Sequence, residues 1–406
     1  MDPRDNDPAR RGFLKAGSLA AAAMLGGAKA SDVLAAPAWR GHNPSLLHHR
    51  FGLNYVPSKN WYYCYNDWHL ADIRADMGRM AELGIDHLRV MVVWPWFQPN
   101  PTAMSGAHLD RFDQLMQAAA AAGLDVMPCI YTGWLSGFHF NPNFLDAEPF
   151  YTSDKWAAAQ GLYLQALAAR MRRHPNFLGF DIGNEINCNW NAPTRDGDAW
   201  MRRVFGQMHA LAPGKVHVNG VDNGPWFKAD TFSREALIET QSIVALHCWP
   251  FWTGAGKLGG PLDKPYTHLA AAMAALVRSH AGDARKPVWI QEFGVCSVEM
   301  PEADIPRYMD IALEAAVAEG VSWFTWWSSH DVSRSYEFHP FEYGLGLIDN
   351  ANRIKPQGRA FRRLVERWRG KPVVLPSKAP AAPPTERTDE ATWQWLGAHM
   401  DYRAKA

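Results

Sequence analysis

The chain has no surplus of charge. Its 406 residues carry 41 Lys and Arg against 41 Asp and Glu. Nucleic acids and anionic membrane surfaces are bound through a basic excess, so neither is expected as a partner. Cysteine is scarce, with five in all: Cys64, Cys129, Cys188, Cys248 and Cys296. An odd number without a C-x-x-C pair excludes a disulfide framework and a zinc ribbon. Four of them (129, 188, 248 and 296) lie at or just past candidate strand ends, where small side chains fill tight packing; a metal cluster there is the lesser alternative. No H-x-H or H-E-x-x-H is present, which argues against a metallohydrolase. No G-x-G-x-x-G follows the first candidate strand, so no dinucleotide fingerprint is seen. No cofactor and no metal is expected. No apolar run is long enough for a stable membrane span, and the Ala-rich stretch 16–30 is too short and too rich in Gly and Ala.

What is present begins with a targeting segment. Arg10-Arg11-Gly12-Phe13-Leu14-Lys15 resembles the twin-arginine export motif and precedes that Ala-rich run. Ala28-Lys29-Ala30 and Val33-Leu34-Ala35 are candidate cleavage sites. Residues 1–35 are therefore read as a signal peptide. This implies a twin-arginine translocase as transient partner, a periplasmic or secreted bacterial protein, and no membrane association once the signal is removed. Such cargo folds in a reducing cytoplasm, which suits free thiols.

From residue 51, apolar runs alternate with amphipathic stretches. The runs are 51–55, 87–93, 124–131, 177–183, 216–220, 243–246, 287–291 and 321–326. They are nearly continuous in Val, Ile, Leu and aromatics, as parallel strands covered on both faces require. Helical periodicity fills 71–83, 109–122, 153–173, 198–211, 267–280, 301–319 and 355–368, with a weaker segment at 233–240. Eight such alternations predict a single-domain α/β fold, a closed (β/α)8 TIM barrel over 36–370. An open doubly wound sheet is the alternative. Residues 371–406 read as a Pro/Ala-rich linker and a C-terminal tail, and Trp393-Gln394-Trp395-Leu396 has enough apolar surface to dock on the barrel.

Two runs end on carboxylates. Gly179-Phe180-Asp181-Ile182-Gly183-Asn184-Glu185 finishes on an Asn-Glu pair, and Pro287-Val288-Trp289-Ile290-Gln291-Glu292 on a second Glu. A buried strand ends on Glu where its end faces a site. Barrel sites lie at the C-terminal rim, and two carboxyls on one rim are the equipment of a glycosidase. The other strand ends supply Asn54, Arg89, Trp94, Tyr131, Trp134, His247, Trp249, Trp326 and Trp327, which are candidate substrate-binding residues with Asn184. Aromatic faces suit sugar rings, and the chain holds 19 Trp. Long aromatic-rich loops follow strand 1 (Lys59, Trp61, Tyr62, Tyr63, Tyr65, Trp68) and strand 8 (328–339). Both are expected at the rim, the first lining subsites and the two together walling one end of the cleft.

This ordered set resembles glycoside hydrolase clan A, and most closely family 5, the cellulase and β-mannanase family. The resemblance spans about residues 50–365. It implies a retaining hydrolase of β-linked oligo- or polysaccharide, manno- or gluco-configured, with Glu185 as acid/base and Glu292 as nucleophile. Arg89, Asn184, His247 and Trp326 or Trp327 complete the pattern, with Trp326 as floor of the subsite that holds the cleaved sugar. Two departures stand out. The family's His-x-Tyr on strand 6 is His247-Cys248-Trp249 here, and an indole is not expected to replace the phenol that holds the nucleophile's oxygen. The family's His after strand 3 is absent from Tyr131-Thr132-Gly133-Trp134. Alternatives are a non-catalytic carbohydrate-binding barrel, an exo-glycosidase of another sugar configuration such as a galactoside or arabinoside, and a metal-dependent barrel hydrolase.

Overall fold

In the computed structural model, residues 45–377 and 380–402 are described. The proposed signal peptide lies outside them. Eight strands form one parallel sheet: β1 Arg50–Tyr55, β2 His87–Met91, β3 Asp125–Cys129, β4 Asp181–Asn184, β5 Val218–Gly220, β6 Val244–His247, β7 Val288–Phe293 and β8 Trp323–Trp326. Their order is β5-β4-β3-β2-β1-β8-β7-β6, so the sheet curls into a nearly closed barrel with helices outside. The larger helices are α1 Leu70–Ala81, α2 Gly106–Ala121, α3 Asp154–Met171, α4 Thr194–Leu211, α5 Arg234–Thr240, α6 Leu269–Ala281, α7 Ile305–Ala318, α8 Pro356–Trp368 and α9 Asp389–His399. Ser105, Ser153, Ser233 and Thr388 each accept a backbone N–H as N-caps of α2, α3, α5 and α9, satisfying donors that the first turn leaves free.

The fourth strand differs most from its expectation. It begins at Asp181 and not at residue 177. Phe177 makes an isolated bridge to Val126, and Gly179 then takes φ 148° against the β5 side, where a Cβ would lie 1.5 Å from the Val216 carbonyl oxygen. Only glycine allows that approach, and the regular strand resumes at Asp181.

The barrel interior is layered. At the bottom Arg50 pairs with Asp86 at 2.9 Å and Asp125 at 2.6 Å. Above them Met127, Val218, Ala245, Trp289 and Trp323 fill the middle with apolar volume. The next layer up is polar, and it carries the site. β6 and β7 shift register between Leu246 and His247, so that His247 lies opposite Glu292. One extra residue on a strand redirects side chains. Here Gln291 and Glu292 both turn inward, Gln291 to Asp181 and Glu292 to Arg89.

No hydrogen-bonded ladder joins β5 to β6. The seam is closed by a side chain: Gln241 Oε1 accepts from the backbone N–H of Asn219 at 3.0 Å and of Ala245 at 3.3 Å. Beyond the barrel, α9 rests against its flank, where Thr392 Oγ1 donates to the Phe227 carbonyl and Trp393 Nε1 to that of Thr253. No described helix is long and apolar enough to cross a membrane. Replacing Gln241 with Leu leaves two buried N–H groups unpaired, each worth about 1–3 kcal/mol. We expect Gln241→Leu to cost about 2–6 kcal/mol of stability, seen as a lower urea midpoint; an unchanged midpoint would mean that water or backbone closes the seam instead.

Candidate active site

Arg89 stands at the centre of the rim, fully buried in the middle of β2. Each of its five N–H groups has an acceptor. Nε donates to Asp181 Oδ2 at 2.6 Å, and Nη1 to Asn54 Oδ1 at 3.0 Å and to Glu292 Oε1. Nη2 donates to Asn184 Oδ1 at 2.9 Å and to Cys129 Sγ at 3.6 Å. Burial opposes its charge, but Asp181, Cys129 and Glu292 more than restore it, so Arg89 remains a cation. Gly220 makes this possible, since a Cβ there would lie 2.5 Å from Gln291 Oε1, 2.8 Å from Arg89 Nη2 and 2.9 Å from His247 Nε2.

Glu185 follows β4 in the left-handed region, at φ 46° and ψ 46°, a conformation that costs a side-chain-bearing residue about 1–3 kcal/mol. Its N–H reaches the Gly220 carbonyl at 2.7 Å. The turn aims the carboxyl across the barrel mouth toward His247, whose Nδ1 lies 2.8 Å from Glu185 Oε1 and 3.4 Å from Glu292 Oε2. One oxygen of each Glu and a nitrogen of His247 lie within 4.8 Å of one another. Carboxyl oxygens this close fit the close pairing of about 5–5.5 Å in retaining glycosidases better than the roughly 6.5–9.5 Å of inverting ones. The spacing would also admit a cation, although Arg89 already occupies Glu292 and a hydrogen bond joins Glu185 to His247.

The two carboxyls are tuned apart. Burial and the nearby Asp222 push Glu185 up to about 8, against the pull of Arg89. Burial also raises Glu292, but His247 and the direct Arg89 contact oppose it. Glu185 is thus the group that keeps its proton at neutral pH, and Glu292 the one that ionises first. Burial lowers His247, so its ring is neutral.

A cavity of about 550 Å³ opens above this pair. Glu185, Glu292, Asn184, Trp134, Trp249 and Trp327 line it, together with Asp222, Trp252 and Glu342. A roomier groove of about 680 Å³ lies between α9 and the segment after β6, but its lining brings no opposed carboxyls together. Glu342 escaped the sequence reading. It sits three residues beyond the stretch 328–339 and shows itself only as the acid within Pro340-Phe341-Glu342-Tyr343. Burial raises it to about 7, and Trp327 Nε1 donates to it at 3.4 Å.

Several expected lining residues lie elsewhere. Trp326 is fully buried, donates Nε1 to the Leu345 carbonyl at 2.9 Å and packs edge-on against Phe293; Trp327, joined to Ser328 by a cis peptide, takes the cavity position. Trp94 bonds Gln98 at 2.7 Å and stacks on Tyr163. Tyr131 donates to the Gln160 carbonyl at 3.0 Å. Both point into the helix layer. Asn54 faces inward but below the cavity, bonding Arg89 and the Gln291 carbonyl. The indole of Trp249 does what was not expected of it: Nε1 donates to Glu292 Oε2 at 3.2 Å. An indole N–H supplies a donor as a phenol does.

The aromatic loop after β1 does not line the cavity. It builds a clasp. Trp61 packs on Phe138, Phe140 and Phe338, and Tyr63 stacks on Tyr336 at 6.0 Å. Phe138 belongs to a short hairpin after β3 (Trp134–Leu135 with Phe138–His139). Tyr336 and Phe338 belong to the loop after β8. On a second side, Phe251 and Trp252 pack on Phe341.

A parallel eight-stranded barrel with two opposed carboxyls, a buried arginine and an indole-lined cavity at its C-terminal rim defines a retaining glycoside hydrolase. Residues 49–332 match the model of the cellulase family, glycosyl hydrolase family 5, and the chain belongs to that family. Among solved structures, GH5_18 from Streptomyces cattleya in complex with GlcNAc is 31% identical with a TM-score of 0.79, over 88% of this chain and 91% of that one. A variant of that enzyme was solved with Manβ1-4GlcNAc, with a TM-score of 0.77 over 86% and 90% of the two chains. GH5_18 from Bifidobacterium longum subsp. longum is 27% identical with a TM-score of 0.79, over 87% and 90%. No curated protein sequence matches the chain.

The Trp249 contact sets a pH test. Its N–H favours ionised Glu292, so its loss raises that pKa, and an activity that needs the anion is then lost sooner as pH falls. Trp249→Phe should move the acid limb of kcat/KM to higher pH and reduce kcat/KM about tenfold or more, the worth of a hydrogen bond to a charged group. The basic limb should fall through about 8, where Glu185 loses its proton, and Asp222→Asn should move that limb down. An acid limb unmoved in Trp249→Phe would separate the indole from Glu292's ionisation.

Proposed function

We propose that this protein is an exported, exo-acting β-mannosidase that removes a terminal mannose from Manβ1-4GlcNAc by double displacement. The observation that carries exo action is the clasp. Trp61 and Tyr63 after β1, Phe138 after β3, and Tyr336 and Phe338 after β8 pack together, and the chain next to them, Ser136, Gly137 and His339, lines the cavity. A polymer running through the site would have to cross that wall, whereas a chain end fits. The manno configuration and the disaccharide are supported by the GH5_18 structures solved with GlcNAc and Manβ1-4GlcNAc. Export is supported by Arg10-Arg11-Gly12-Phe13-Leu14-Lys15.

In this reading Glu292, held by Arg89 and Trp249, attacks the anomeric carbon as Glu185 gives its proton to the leaving oxygen. Glu185, now anionic, takes a proton from water, which attacks the glycosyl–enzyme and regenerates both groups. Asn184 donates one amide hydrogen to the Trp134 carbonyl at 2.6 Å and has a second for the sugar's 2-hydroxyl. Trp134, Trp249, Trp252 and Trp327 offer apolar faces to the ring.

The following measurements test this. Hydrolysis of Manβ1-4GlcNAc should exceed that of gluco- and galacto-configured analogues, and NMR should show retained configuration in the released mannose. The viscosity of soluble mannan should hold steady while mannose appears; a fast fall with little sugar released would overturn exo action. Glu292→Ala should be inactive on every substrate. Glu185→Ala should lose about 10²–10⁴-fold on poor leaving groups and far less on activated aryl glycosides, with partial rescue by azide; equal losses on both would remove Glu185 as the general acid. For export, replacing Arg10 and Arg11 with Lys should strand the protein in the cytoplasm of its host.

A further inference from the structure

His247 lies between the two carboxyls with both ring nitrogens engaged. Which nitrogen carries the hydrogen is decided by a residue behind it. Gln291, at the register shift of β7, donates its amide nitrogen to Asp181 Oδ2 at 3.3 Å and presents its amide oxygen to His247 Nε2 at 3.1 Å. Asp181 accepts from Arg89 through the same oxygen at 2.6 Å and from the Gly220 N–H through the other at 2.9 Å. An aspartate paired in this way is an acceptor only. A primary amide has one donor end and one acceptor end, so the donor end of Gln291 must face Asp181 and the oxygen must face the ring.

Nε2 therefore bears the hydrogen. In a neutral imidazole the other nitrogen is then bare. That bare Nδ1 sits 2.8 Å from Glu185 Oε1, and a contact of this length between a lone pair and a carboxyl oxygen requires a hydrogen on the oxygen. We propose that Gln291, oriented by Asp181, is a positioning residue that fixes His247 as the Nε2–H tautomer and so holds Glu185 in its proton-bearing form before substrate reacts. The chain of hydrogen bonds runs from Arg89 through Asp181, Gln291 and His247 to Glu185. The ion that holds the nucleophile thus also sets the state of the acid. The role in catalysis rests on the reading of Glu185 as acid/base; the tautomer does not. Once Glu185 has given up its proton it faces a bare nitrogen, an unfavourable contact that ends when it takes the next proton from water.

The groups around this pair are Glu292, Arg89 and Asp181 at the barrel mouth, Asp222 after β5, Cys188 after β4 and Glu342 after β8. They remain in place when Gln291 is changed, so a shift on its replacement belongs to the tautomer chain. ¹⁵N NMR of histidine-labelled full-length protein, with His247 assigned by its loss in His247→Asn, reads the tautomer directly and needs no substrate. The expected result is hydrogen on Nε2 and an acceptor-type shift at Nδ1; hydrogen on Nδ1 would overturn the proposal. Gln291→Met, of similar length but without either polar end, should release the tautomer. Its basic limb of kcat/KM should move to lower pH, and it should lose about tenfold on a poor leaving group while keeping most of its rate on an activated aryl glycoside. Equal losses on both substrates with an unmoved limb would reduce Gln291 to a packing residue and overturn the proposal. A wild-type protein with the Nε2–H tautomer and no hydrolysis of any glycoside would instead sink the functional reading and leave the tautomer assignment standing. If Gln291→Met does not fold, the wild-type spectrum alone decides.

Discussion

Everything at the rim depends on one buried guanidinium. Arg89 has no exposure to solvent, and a charge so placed is tolerated only when each of its donors is met. The acceptors come from four strands or their ends: Asn54 on β1, Cys129 on β3, Asp181 and Asn184 on β4, and Glu292 on β7. Satisfying Arg89 therefore fixes the relative positions of both halves of the barrel. The planar fork of five donors is what lets one residue do this, and a lysine could not. Gly220 belongs to the same constraint, because its missing side chain is the space in which Arg89, Gln291 and His247 meet.

That arrangement separates the properties of two chemically identical side chains. Both Glu185 and Glu292 are buried, and burial alone raises both. The difference lies in what each touches. Glu292 receives the cation and an indole N–H, while Glu185 receives a neutral ring and the field of Asp222. A purely sugar-binding barrel has no use for such a division, since acceptors of like strength would serve it equally well. Acid and nucleophile, by contrast, must differ in protonation at a single pH.

The loops apply a second constraint of a different physical kind. The rim is polar and tightly specified, but the clasp above it is built from aromatic faces without fixed partners of charge. Trp61 packs on rings from two other loops, and its neighbour Tyr63 stacks on a third ring from the loop after β8. Such packing closes space more than it positions atoms. It shapes what enters the cavity and leaves the chemistry beneath it to the strand ends.

The order of elements along the chain, and the two strands that end on Glu, were legible in the residues because strand burial and helix periodicity are local patterns. So were Arg89, Asn184, His247 and Trp249 as members of one rim, since each lies within or just past an apolar run. What no local pattern contains is where a side chain points after its strand stops. Trp326 and Trp327 are adjacent, yet one is core and the other faces the cavity. Trp94 and Tyr131 follow their strands and turn outward, whereas Trp249 follows its strand and turns to the cavity. Glu342 approaches the site from a loop whose path is set by packing against Trp327 and Phe251. The register shift that turns Gln291 and Glu292 inward together, and the hydrogen bonds it creates, depend on strands more than forty residues apart in sequence. By itself the sequence determined the barrel and the identity of its two acids. Their protonation, their partners and the aromatic clasp between the loops were decided by the tertiary structure, because each arises from contacts between segments that meet only once the barrel has closed.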